Sequence, residues 1–291
     1  MTSKATPPSQ KNDVVFTRYD RRALTYANSF DNKWQAGTIR SLEWMTGKVT
    51  ILKMIRQFEK IGAPTGPAFW RGCLDVMGVD LKLDEKQLAR IPSDGPIVAV
   101  ANHPHGMVDG MVLAEILGLR RPDYKILTRN VLTGVDEIAS SFLIPVPFPH
   151  EKDAQRKFVE MRAAAMAHLK ANGILALFPS GVVASSKTLF GPVVEADWNV
   201  FTAQLIRRSG ARVVPIYFPG ANSRVYQVAN RVSATLRQGL LLREIVQSCN
   251  KPQAPVIGKV LTDDQMAPLA SDPRGFMTWL REHTLSLAKS A

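Results

Sequence analysis

The sequence predicts an α/β fold, with a mostly parallel or mixed central sheet flanked by helices and an N-terminal pair of amphipathic helices ahead of it. Three observations carry this prediction. Apolar runs of strand length recur from residue 97 onward. They are continuous rather than alternating, as in strands covered on both faces. Stretches of helical periodicity lie between them. A length of 291 residues, with 45% hydrophobic and 8% aromatic side chains, suits a globular chain with one large core or two modest ones.

In chain order, residues 1–36 are polar and charged without periodicity, which predicts a disordered or loosely attached segment. They lack the apolar core, roughly 7–15 residues long, of a secretory signal. Across residues 38–61, Ile39, Leu42, Met45, Val49, Leu52, Ile55 and Phe58 recur at spacings of three and four, which predicts a helix. Arg40, Lys48, Lys53, Arg56 and Lys60 fill much of its remainder, with Trp44 nearby. Gly62, Pro64, Gly66 and Pro67 end it, and a second helical stretch follows over 68–77. A basic helix with an apolar stripe and a Trp suits a membrane interface. The same pattern suits a stripe packed on the main domain with its cations solvated. Residues 37–90 are therefore expected to form a helical segment open to either placement, and residues 91–291 an α/β domain. Its expected strands are 97–101, 125–128, 142–148, 174–178 and 213–218, with a weaker one at 255–260. Its expected helices are 111–119, 154–171 and 198–208, closed by 276–287.

Thirty-seven Lys and Arg against 25 Asp and Glu give a net charge of +12. That excess favours an anionic partner: nucleic acid, an anionic membrane, or an acidic carrier or substrate. No basic run is dense enough for a nucleic-acid arm, so no nucleic acid is expected, and no zinc-ligand spacing points to a metal. Cys73 and Cys249 stand far apart, which fits two buried thiols in a reducing compartment. No window offers the roughly 20 apolar residues of a spanning helix, so membrane contact would be peripheral.

Three strand ends carry polar chemistry. The run 97–101 stops at Asn102-His103-Pro104-His105-Gly106, with Asp109 about one helical turn on. A neutral imidazole takes a proton near pH 7, and a carboxylate beside it fixes its tautomer and steadies the imidazolium that forms. Asp109 also suits a plain first-turn carboxylate favoured by the helix dipole. The run 174–178 ends in Phe178-Pro179-Ser180-Gly181, where backbone N–H groups could form an oxyanion nest, or simply a turn. Ser180 lacks the Gly-x-Ser-x-Gly elbow of a nucleophile, having Phe178 and Val182 at the glycine positions. The run 213–218 leads to Gly220, Asn222, Ser223 and Arg224. Arg224 suits a phosphate or carboxylate by its bidentate geometry, or a loop cap or surface pair.

Asn102-His103-Pro104-x-Gly106-x-x-Asp109-Gly110, then Phe178-Pro179-x-Gly181, then Val214-Pro215-Ile216 resemble, in this order, the glycerophospholipid acyltransferase superfamily typified by 1-acylglycerol-3-phosphate acyltransferases. The closer resemblance is to its hemolysin-like, ornithine-lipid-type branch, with Gly220-x-Asn222-Ser223 as a further match. It spans about residues 70–260 and implies a glycerolipid acyltransferase-like fold. It implies His103 as the catalytic base and Asp109 as its partner, with His105 and Gly106 in the same loop. It places Arg129, or the Lys152 and Arg156 pair, near the block that contacts the acceptor's head group. Phe178, Pro179, Ser180 and Gly181 fall on the third block, Val214 and Pro215 on the fourth. The chain departs from the common pattern in three ways, one being that the hydrophobic N-terminal span of many members is absent. Five residues separate His103 from Asp109 and three separate His105 from it, against four; and Ser180, Val182 and Val183 replace the third block's polar side chains. Lysophosphatidic acid is therefore not the expected best acceptor.

The resulting expectation is a peripheral-membrane O-acyltransferase on the cytoplasmic face. It would use acyl-ACP or acyl-CoA as co-substrate, no further cofactor and no metal, and a lysolipid acceptor bearing a phosphate or an amino acid. A lipid-ester hydrolase, with the same His activating water, and a non-catalytic lipid-binding module stay open at this stage.

Overall fold

The computed structural model describes residues 24–30, 32–66, 68–129, 141–148 and 151–290. Most of the N-terminal segment expected to be loose, residues 1–23, lies outside the described residues, as does Pro67.

Six strands form the main sheet: β1 Ile97–Ala101, β2 Tyr124–Arg129, β3 Leu143–Val146, β4 Ile174–Leu177, β5 Arg212–Tyr217 and β6 Val256–Ile257. Their order is β6-β5-β1-β4-β2-β3. All neighbours are parallel except β6, which runs antiparallel to β5. The expected mostly parallel sheet flanked by helices is therefore present. Every residue of β1 and β4 is buried, because helices cover both faces of the sheet. Successive side chains of a strand point to opposite faces. Ile97, Ala99 and Ala101 accordingly enter one core with α2 Val49–Lys60, α3 Ala68–Val76 and α4 Met107–Arg120. Val98 and Val100 enter the other with α5 Ala154–Lys170, α6 Val200–Ser209 and α10 Pro273–Ser286.

Several boundaries moved. The N-terminal helix α1 starts at Lys33 and runs to Glu43, its Asn32 cap accepting from the N–H of Trp34 at 2.9 Å. Residues 24–30 and 32–36 are not loose where described: Ala27 and Ala36 are buried, and buried Glu43 accepts from Thr25 Oγ1 and from the Tyr26 N–H, both at 2.7 Å. The expected seven-residue stripe is not one face. A π turn over Trp44–Lys48 inserts an extra residue between α1 and α2. Of the stripe only Ile39 is buried, while Met45 (81%) and Val49 (44%) are exposed, and Ile51, outside the stripe, is buried instead. Gly47 sits in that turn because a Cβ there would lie 2.8 Å from the Leu242 backbone.

Among the described residues, three helices of six or more residues lie where none was expected: α7 Arg224–Val232, α8 Ala234–Gly239 and α9 Leu241–Ser248. They pack in a row, α7 on a small antiparallel arm formed by Ser185–Ser186 and Val193–Val194, α8 on α7, and α1 on α8. The three strands that carry the polar motifs, β5, β1 and β4, are adjacent at the centre of the sheet. Their carboxyl ends therefore open side by side, where α/β sheets place their chemistry.

Candidate active site

The site is built at the carboxyl end of β1. Asn102 is buried and braces this end to that of β5: its Nδ2 donates to the Phe218 carbonyl at 2.8 Å, and its Oδ1 accepts the Phe218 N–H at 2.7 Å. The chain then turns through Gly106, whose φ of +84° suits glycine, and enters α4 at Met107. The helix starts four residues earlier than its apolar run suggests, which puts Asp109 in its first turn.

Asp109 is fully buried and accepts four hydrogen bonds. Oδ2 takes His103 Nδ1 at 3.0 Å, the His105 N–H at 2.8 Å and the Gly106 N–H at 3.0 Å. Oδ1 takes His105 Nδ1 at 3.0 Å. The two sequence-level readings of Asp109, helix-start carboxylate and histidine partner, are thus both met by one side chain. Burial pushes its pKa up, but the hydrogen bonds from His103 and His105 outweigh burial and hold it below the usual carboxylate range. An ionised carboxylate accepting from both Nδ1 atoms places a proton on each, so each neutral ring presents a bare Nε2 away from Asp109. The constellation therefore holds two bases on one acid.

The surroundings of the two rings differ. The His103 ring stacks on Phe178, with centroids 3.9 Å apart and planes at 20°. Its main chain is held on both sides: the His103 N–H donates to Glu195 Oε2 at 3.0 Å, and its carbonyl accepts the Ala184 N–H at 2.8 Å. Glu195 is buried and also accepts from Trp198 Nε1 at 3.1 Å. Sequence reasoning missed it, since Glu195 lies 92 residues from His103 in a segment without motif signals. The His105 ring instead faces Gly220, where a Cβ would lie 2.8 Å from its Nε2.

The third block stands beside this pair but behaves differently from the expectation. The Gly181 N–H donates to the Phe178 carbonyl at 2.9 Å, closing the turn. It is thereby committed, and an oxyanion would need other donors. Ser180 donates its hydroxyl to the Val182 carbonyl at 2.9 Å, turned away from a nucleophile's task. Pro179 is buried, and its carbonyl takes the Asn199 N–H at 3.0 Å.

The remaining candidates are scattered. Arg129 ends β2, two strands from β1 and so roughly 10 Å away by strand spacing. Lys152 is exposed in the turn before α5, where Arg156 pairs with Glu160 at 3.3 Å. Among the described residues no hydrogen bond or ion pair joins Lys152 to His103 or Asp109. Arg224 donates to the Gly191 carbonyl at 2.7 Å and so pins the arm at 185–194, the surface-pair alternative. Asn222 is buried beside the His105 side of the site, and Ser223 caps α7 by accepting the Tyr226 N–H at 3.2 Å.

Comparison with known proteins places this geometry in context. A family model described as Acyltransferase matches residues 26–251. The lyso-glycine lipid O-acyltransferase of Phocaeicola vulgatus is 26% identical over 201 residues, covering 67% of this chain and 68% of that protein. The protein of the same name from Bacteroides thetaiotaomicron is 28% identical over 169 residues, covering 57% and 58%. Among solved structures, the 1-acyl-sn-glycerophosphate (LPA) acyltransferase PlsC from Thermotoga maritima is similar with a TM-score of 0.48 and 12% identity, covering 76% of this chain and 78% of that one.

Proposed function

The chain belongs to the acyltransferase family, within the glycerophospholipid acyltransferase superfamily, and from that premise we propose that it moves a fatty acyl group from a thioester to a hydroxyl of a lysolipid. The observation that carries the reading is the His103–Asp109 pair, a bare imidazole nitrogen backed by a buried carboxylate at a central strand end. His103 Nε2 takes the acceptor's hydroxyl proton as the oxygen attacks the thioester carbonyl. The C–S bond breaks, and His103 returns the proton to the departing thiolate. Asp109 steadies the imidazolium between these two transfers. The donor is acyl carrier protein or coenzyme A, whose acidic surface or phosphates suit a chain of net charge +12.

An amino-acid lysolipid is the favoured acceptor over lysophosphatidic acid. Ser180, Val182 and Val183 offer no fixed charge in the third block, and the Ser180 hydroxyl is occupied. Both relatives are named for lyso-glycine lipid.

The reaction takes place at an anionic membrane surface. Among the described residues, no helix is long and apolar enough to cross a membrane. One row of elements is suited to lie on it: α1 with its π turn, α8, α7 and the arm at 185–194. They carry Lys33, Arg40, Lys187, Arg224, Arg231 and Arg237 against one acid, Glu43, which is buried, as is Lys48. On the same elements Trp34 (88%), Met45 (81%), Phe190 (84%) and Val232 (65%) stand exposed. Apolar side chains among unopposed cations match an anionic leaflet. A thioester donor places this contact on the cytoplasmic face.

The test is thiol release from one acyl thioester, with and without a panel of lysolipids, run beside an ester-loss assay. Thiol release that depends on acceptor, at least as fast with an amino-acid lysolipid as with lysophosphatidic acid, is expected. Acceptor-independent ester loss would make the chain a hydrolase. Absence of both would make it a binding module.

A further inference from the structure

His105 and Gly220 share a wall of a cavity of about 370 Å³ that the chemistry at His103 does not use. Its size falls at the small end of ligand pockets, which run from roughly 300 to 1,000 Å³. The wall is fixed from outside: Pro252–Gln253 pairs with Asp80–Leu81, and the Asn250 N–H donates to the Met77 carbonyl at 3.0 Å.

Inside, Asn222 is 6% exposed, and its Nδ2 is buried with no hydrogen-bond partner among the described residues. Buried amide donors are nearly always paired, so an orphan on a residue that lines a cavity marks a place where an acceptor is supplied from elsewhere. The one carboxylate in the lining cannot supply it. Glu244 accepts from the Ser223 N–H and hydroxyl, both at 2.7 Å, and pairs with Arg243 at 2.9 Å. Lys251, exposed at the lining, forms no ion pair among the described residues. The cavity thus presents the orphan amide of Asn222, one unpaired ammonium and one carboxylate already satisfied, with Gln247, Ser248 and Gln253 completing its polar lining.

We propose that this cavity holds the carboxylate of the acceptor's amino-acid head group, Asn222 donating to one oxygen and Lys251 offsetting the charge. The inference rests on the acyltransferase reading above and names the acceptor chemistry that reading leaves general. A carboxylate fits better than a phosphomonoester. The latter carries about −1.5 to −2 charges, more than the single ammonium of the lining offsets. Gly220 keeps this subsite against the His105 ring, since any side chain there would strike the imidazole. The head group is thereby held next to the His–Asp–His constellation.

Binding to the full chain is measured with three probes below their micellar concentrations: N-dodecanoylglycine, its methyl ester and dodecyl phosphate. The acid is expected to bind at least tenfold tighter than the ester and tighter than the phosphate. Lys251→Gln, at an exposed position, should remove most of the acid's advantage and leave the ester unchanged. Asn222→Asp, which keeps the side chain's shape but repels a carboxylate, should do the same. Equal binding of acid and ester, a stronger phosphate, or an acid preference intact in both variants would overturn the proposal. These probes carry no hydroxyl to acylate, so the result stands apart from transfer. Loss of thiol release with every lysolipid would remove the acyltransferase reading while leaving the binding result in place.

Discussion

Asp109→Asn tests the centre of the mechanism, and its size follows from the hydrogen bonds. Three donors converge on Oδ2 and one on Oδ1. The amide oxygen of the introduced Asn will take the Oδ2 place, where three N–H groups would otherwise meet an NH2. His103 then keeps its orientation but loses the negative charge that steadies its imidazolium. His105 meets an NH2 and must move its proton to Nε2 or break away. General acid–base assistance is worth roughly 10²–10⁴ in rate, which at about 1.36 kcal/mol per decade is about 2.7–5.4 kcal/mol of transition-state stabilisation. Hydrogen bonds to a charged acceptor are roughly twice as strong as neutral ones. Four of them becoming neutral or unmade, at about 0.5–1 kcal/mol each, should cost about 2–4 kcal/mol of stability. The assay is acceptor-dependent thiol release, paired with urea unfolding on the same samples. His103→Ala should lose as much activity with little loss of stability, because its ring is a partly exposed loop side chain stacked on one aromatic. An Asp109→Asn variant within tenfold of the parent rate would refute the dyad. Activity surviving His103→Ala but not His105→Ala would move the base to the other ring.

Three further outcomes are expected. Glu195→Ala removes the acceptor that fixes the His103 main chain, and displacement of a catalytic group by about 1 Å can cost on the order of 100-fold; kcat should fall roughly 10- to 100-fold with the acceptor KM unchanged, and an unchanged kcat would make Glu195 a packing residue only. His168 is half-buried with its pKa lowered by burial, and it donates Nε2–H to the Ile174 carbonyl at 3.0 Å. Because the folded value is depressed, the neutral form's stability is present above the unfolded value of about 6.5 and is lost as pH falls from there. His283, also lowered by burial, adds with the same sign. The urea midpoint should therefore drop between about pH 7 and pH 5, and His168→Gln should flatten part of that drop; an unaltered profile would show that His168 does not couple to folding. Finally, Trp34→Glu with Phe190→Glu should weaken binding to anionic vesicles, and binding of the parent chain should fall with salt as the Debye length shrinks below about 10 Å. Vesicle binding indifferent to both changes would place the membrane contact elsewhere.

The parts of the fold legible in the sequence are those whose cause is local. Ile97–Ala101 and Ile174–Leu177 are apolar at every position because both faces are covered, and their short length and flanking Gly and Pro read as buried strands. The helices at α7, α8 and α9 were not legible for a matching reason. They have nine, six and eight residues, while a helical period needs a window of roughly 11–18 residues to stand out. Ser233 and Gly239 cut the pattern before it repeats. The stripe through Met45 and Val49 failed because a π turn changes the period midway, and that turn brings Gly47 close against the Leu242 backbone, a tertiary contact.

The same division runs through the site. His103, His105 and Asp109 lie within seven residues, so a strand end followed by a helix start is enough to bring them together. What holds them in place comes from far along the chain. Asn102 is bonded to Phe218, 116 residues on, and His103 to Glu195, 92 residues on. Neither partner carries a local signal, since a Phe backbone and a lone Glu look alike wherever they occur. Sequence order also hid that the strands ending at Ala101, Leu177 and Tyr217 are neighbours, which is what turns three separate polar loops into one site. Asp109 shows why the local part could be read at all. One carboxylate serves the helix start and both imidazoles, so the backbone turn that builds the helix also fixes the proton on each Nδ1 and leaves each Nε2 free to act.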